Sequence, residues 1–179
     1  MRKFISAVLV CLMAFMPVGC GADQIIAGLQ TAQNVSTQAQ KILAPVNPEV
    51  ANIAGVVATD LGVIVKAYQD YDVAADGDKP TKAQLVLATA QSITNNLSAI
   101  LDAVRIKNPQ LLTEITVFVA VVNSALVVVL AKIPNAGLKT QAAIVGNQGL
   151  PVIKNAKNAK DLKTAWNSAV SKSFPHNKI

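Results

Sequence analysis

The chain has 179 residues and a formal net charge of +6, with 52% apolar and 15% charged residues. That balance excludes a disordered chain and supplies enough apolar surface for the core of one domain. Two cysteines and one histidine exclude a dense disulfide framework and leave little for histidine-based metal or triad chemistry.

The charge is unevenly placed. From Cys20 to Ala131 there are six basic and nine acidic residues, whereas from Lys132 onward there are eight basic residues and only Asp161. The body is mildly acidic and the C-terminal segment basic, which points that segment toward anionic surfaces.

The chain opens with Arg2 and Lys3, followed by an uncharged apolar run of thirteen residues from Phe4 to Met16. That is the length of a signal-peptide core and too short to span a bilayer stably. Val18, Gly19 and Cys20 follow, with Pro17 where a leucine is usual. This stretch resembles the lipobox of bacterial lipoproteins, and the resemblance covers only the first twenty or so residues. It implies cleavage before Cys20, lipidation of that cysteine and residence in the cell envelope, facing the periplasm or cell exterior, with the membrane as a partner. Two alternatives stay open: a cut after Ala22, where Cys20 and Ala22 supply small residues at −3 and −1, or an uncleaved anchor. Each exports the chain. Because Cys11 lies inside the signal core, no internal disulfide survives in a cleaved chain.

The interior repeats one pattern. Ile25, Leu29, Ala32, Ser36, Ala39 and Leu43 alternate spacings of four and three, which lines one face of a helix that must stop before Pro45. Asn47 and Pro48 read as N-cap and first helical residue of a second helix, whose seam is Val50, Ala54, Val57, Leu61, Ile64, Tyr68 and Tyr71. Thr81 and Gln84 have the spacing of a capping box and lead into Val86, Ala90, Ile93, Leu97, Ile100 and Val104. Asn108 and Pro109 repeat the Asn-Pro opening before Leu111, Ile115, Phe118, Val122, Ala125 and Val129.

Similar lengths and short connectors favour antiparallel neighbours, and a 3.5-residue repeat favours left-handed packing. The expected fold is all-α, an antiparallel up-down four-helix bundle over 24–133. A signal peptide (1–19) and an anchor segment (20–23) precede it; a basic C-terminal segment (134–179) with one or two short helices follows. Ile115 to Ala131 carries no charge across seventeen residues, nine of them β-branched, so a membrane-inserted helix or a hairpin turning at Asn123-Ser124 competes with a buried bundle helix there. Beyond Pro134, a short helix is expected at 139–146, a turn at Gly146 to Pro151, and a last helix from Asn158 to Ser173. That helix docks through Trp166, and the closing residues fray.

The chemistry is sparse. His176 stands near the end of the sequence, and Glu49, Asp60, Asp102 and Glu114 are single carboxylates that read as solvated, so no catalytic residue is expected. Asp70, Asp72, Asp76 and Asp78 cluster between the second and third helices. Aligned on Gly77, Asp72 and Asp76 take two positions of a calcium loop, but Ala74 and Ala83 occupy two others, so an EF-hand is excluded and only a weak calcium candidate remains. Asp70 and Asp72 sit at the negative end of a helix, where Lys79, Lys82 or the basic tail could offset them. Lys154, Lys157, Lys160 and Lys163, three apart, fan over half a helix circumference and offer contact with anionic lipid or cell-wall polymer. Without interleaved aromatics they do not read as a nucleic-acid surface.

The expected function is therefore that of a non-enzymatic, envelope-anchored helical lipoprotein acting as an interaction or structural module, with another envelope protein as a candidate partner and without a cofactor. Two alternatives are a carrier of a small apolar ligand or lipid, with Tyr68, Tyr71 and Phe118 lining the cavity, and a protein that inserts residues 115–131 into a membrane.

Overall fold

The computed structural model describes residues 21–103, 109–133 and 158–171 and, singly, 151, 153, 176, 178 and 179. The described residues form five α-helices and no strand: α1 Ala22–Leu43, α2 Pro48–Asp72, α3 Lys79–Ala103, α4 Pro109–Leu130 and α5 Ala159–Val170. The signal-like residues 1–19, Cys20 and the segment expected to hold a short helix at 139–146 lie outside the described residues.

Local signals set most of the boundaries. Asn47 takes a non-helical conformation and its Oδ1 accepts the Val50 N–H at 3.2 Å, with Pro48 where a missing N–H costs nothing. Asn158 does the same for α5, accepting from the Asp161 N–H at 3.1 Å. The third helix departs from its expected start. It begins at Lys79, and the Asp78 carbonyl accepts from the Lys82 N–H, so Thr81 lies inside the first turn and is no cap. Pro80 explains this: a proline fits the first turn of a helix, whose N–H groups have no intrahelical partner anyway.

Every described residue of the four seams is buried, from Ile25 in α1 to Val129 in α4. Ser36 keeps its seam position because its hydroxyl donates to the Ala32 carbonyl at 2.9 Å, so burial leaves no donor unsatisfied. The helix α4 runs unbroken through Asn123-Ser124, which excludes the hairpin.

The neighbours follow from side-chain contacts. A Cβ on Gly55 would come within 2.7 Å of Gln40 Nε2, and one on Gly62 within 2.9 Å of Gln33 Nε2; as α2 advances it passes α1 in reverse, so the two are antiparallel. The Ser92 hydroxyl donates to Asp60 at 2.8 Å and ties α3 to α2. The helix α4 packs on α1 and only slightly on α3, while α5 lies on both α1 and α4. Leu162, Trp166 and Val170 form its buried stripe, so Trp166 docks as the spacing predicts.

Two expectations need correction. Glu114 is buried at 3% exposure, because it shares the α4 face of Leu111 and Phe118 and α5 covers that side. The last residue, Ile179, does not fray: its N–H donates to Asn167 Oδ1 at 2.9 Å, and Asn167 Nδ2 donates back to its carbonyl at 2.8 Å. A side-chain amide that pairs with both backbone groups of one residue holds an extended segment as a strand neighbour would.

Candidate functional site

The end of the molecule at which α1 begins gathers most of the residues singled out by sequence. Gly21 precedes α1 and is exposed, with Cys20 next to it beyond the described residues. There a small pocket opens between three helices, lined by Gln24, Ile25 and Gly28 of α1, Ser124 and Val128 of α4, and Leu162 of α5. Its volume is about 10 Å³, room for about one water. A second pocket of about 10 Å³ lies at the other end of α1, where Ile42 and Leu43 meet Leu111, Glu114, Phe118 and Trp166.

The three candidate wall residues are not brought together. Tyr68 and Tyr71 lie in the last turns of α2 with ring centroids 6.1 Å apart. Because α2 runs against α1, these rings sit toward the start of α1, whereas Phe118 sits beside its last turn. Burial, then the nearby Asp72 carboxylate and Tyr71, push the Tyr68 hydroxyl up to about 12.

The connection between α2 and α3 is solvated. Asp72 and Asp76 are exposed, and Lys79 Nζ donates to Asp76 Oδ1 at 3.1 Å, which raises the lysine's affinity for its proton. Among the described residues, Lys79 is thus one local cation beside the acidic cluster. An exposed pair of this kind contributes little to stability, since water and salt screen it. Among the described residues no three acidic, histidine or cysteine side chains lie close enough together to hold a metal ion. His176 is exposed.

Of the four basic candidates, Lys154 and Lys157 lie outside the described residues, while Lys160 and Lys163 are exposed on the first turns of α5. The helix α5 packs on α1 and α4, the side of the molecule away from α3.

Sequence reasoning missed one arrangement. Ser124 accepts the Ile153 N–H at 2.8 Å while its hydroxyl donates to the Ala120 carbonyl, and Asn123 Nδ2 donates to the Pro151 carbonyl at 3.3 Å. The polar pair in the middle of an apolar helix therefore holds residues 151 and 153 against it. Among the described residues, the fully buried Asn123 Oδ1 has no hydrogen-bond partner. The contrast with Asn167 explains why: Asn167 clamps a residue with both an N–H and a carbonyl, whereas Pro151 has no N–H to give. Two adjacent polar residues inside an otherwise apolar seam were the available signal.

No protein-family model matches this chain, and no curated protein or solved structure is similar to it.

Proposed function

We propose that the protein is a non-enzymatic, envelope-anchored helical lipoprotein, an antiparallel up-down four-helix bundle with α5 docked on its side, that serves as an interaction or structural module. The observation that carries this reading is the position of Cys20. It follows Val18-Gly19 in a lipobox-like stretch and stands two residues before the first residue of α1, so a lipid there would hang the whole bundle by one end. Support also comes from the side chains: the carboxylates outside the acidic connection stand singly, and Glu114 is the one that is buried.

The carrier reading would need the helices to part, because each described pocket has room for about one water. Insertion of α4 would need that helix to give up Pro151, Ile153 and its contacts with α1 and α5.

Intact mass spectrometry of the membrane fraction tests the proposal. The expected species lacks residues 1–19 and carries acyl chains on Cys20. A chain beginning at Asp23, or one retaining Met1, would refute the lipid anchor.

A further inference from the structure

We infer that the end of the bundle at which α1 begins rests on an anionic lipid surface along its α4–α5 edge, through Lys132, Lys160 and Lys163. This deepens the proposed lipid-anchored reading and rests on it.

The small pocket between helices defines that end. Ile25 of α1, Val128 of α4 and Leu162 of α5 meet there, so the last turn of α4 and the first turns of α5 stand level with the start of α1. Lys132 lies just past the end of α4, and Lys160 and Lys163 flank Leu162; all three side chains are exposed. The edge of the bundle that carries them is thus the edge beside the point of attachment. A lipid chain at Cys20 would bring these cations toward the headgroups, where a charged surface is felt over roughly 8 Å at physiological salt.

The acidic groups at the same end decide which edge leans down. Asp70 and Asp72 close α2, Asp76 and Asp78 follow in the α2–α3 connection with Lys79 and Lys82 just beyond them, and α5 packs on α1 and α4 instead. Asp23 lies in the first turn of α1, and Asp161 is half-buried on α5. With Lys79 and Lys82 set against the four aspartates, and Asp161 against the three lysines, one side of the end carries a net charge of −2 and the other +2. Above a negative surface, that asymmetry tilts the bundle so that α4 and α5 approach the headgroups and the α2–α3 connection is lifted away. A cationic patch beside a lipid anchor adds its own attraction for anionic headgroups and so orients the protein on the surface.

Lysine footprinting on the full chain tests this. The chain is bound to vesicles of phosphatidylcholine alone or mixed with phosphatidylglycerol, then treated with an amine-acetylating reagent, and each lysine is quantified by mass spectrometry. The apolar N-terminal run attaches the chain in both cases, so the comparison isolates headgroup charge. Lys132, Lys160 and Lys163 should be several-fold less reactive on the anionic vesicles and recover in high salt, while Lys41, at the far end of α1, keeps its reactivity. In the triple variant Lys132→Gln, Lys160→Gln, Lys163→Gln, the preference for anionic over neutral vesicles should fall on the order of a hundredfold, about fivefold per lysine. Equal reactivity of the three lysines on both vesicles, or equal protection of Lys41, overturns the inference. Failure of the anchor is distinguishable: an unacylated Cys20 in the intact mass would remove the lipid attachment while leaving a protected edge standing, and an acylated chain with unprotected lysines would do the reverse.

Discussion

The helices α2 and α4 are both long and apolar enough, by length and composition, to cross a membrane, yet they use that apolarity differently. In the most apolar stretch of α4, 67% is buried inside the protein; in α2 it is 44%. The helix α4 is enclosed by α1, α5 and the segment at 151 and 153, and even its polar residues Glu114, Asn123 and Ser124 are buried. The helix α2 has α1 on one side and α3 on another, and leaves Val56 49% and Val63 44% exposed. Apolar content reports how many such residues a helix has, whereas burial reports how many sides are covered.

The comparison can be broken most severely at α4. Phe118→Ala removes a fully buried ring between α1 and α5, and the expected loss is about 3–5 kcal/mol by denaturant unfolding. A loss under about 1 kcal/mol would mean that α4 is not enclosed. A smaller effect is expected at Ser124→Ala, which leaves the Ile153 N–H without its acceptor and should cost about 1–3 kcal/mol. The Ile153 amide should then exchange faster with deuterium while amides in α2 hold their rates; uniform acceleration would show that the segment is not held locally. The smallest effect belongs to α2: the double variant Val56→Thr, Val63→Thr should change stability by no more than about 0.5 kcal/mol. A large destabilisation there would reveal a covered face and undo the contrast.

Much of this was legible in the chain. The seams of α1 to α4 and the stripe of α5 were readable because a helix facing one or two neighbours repeats its apolar residues at spacings of three and four, and Asn47 and Asn158 announced their helices by local capping chemistry. What could not be read depended on residues distant in sequence. Glu114 is buried because α5 arrives from far along the chain, and nothing in its immediate neighbours encodes that. Asn123 and Ser124 offered the turn of a competing hairpin in the sequence, whereas residues 151 and 153 are their partners in the fold. The pairing of Asn167 with Ile179 likewise joins residues twelve apart. The start of α3 differs for a local reason, since Thr81 and Gln84 have capping-box spacing but Pro80 already occupies the first turn. The candidate site was legible as residue types and not as a place: only the packing of α5 beside the start of α1 sets Lys160 and Lys163 near Lys132.

Gly28 and Leu162 face each other across the small pocket, where a Cβ on the glycine would lie 4.0 Å from the leucine methyl, although they are distant in sequence. Closing so long a loop costs more entropy than pairing α1 with α2, so docking of α5 belongs among the last folding events. A chain interrupted before Asn158 would leave the α1–α4 groove wet, and such a species would be the natural target of proteases and the natural seed of clumping.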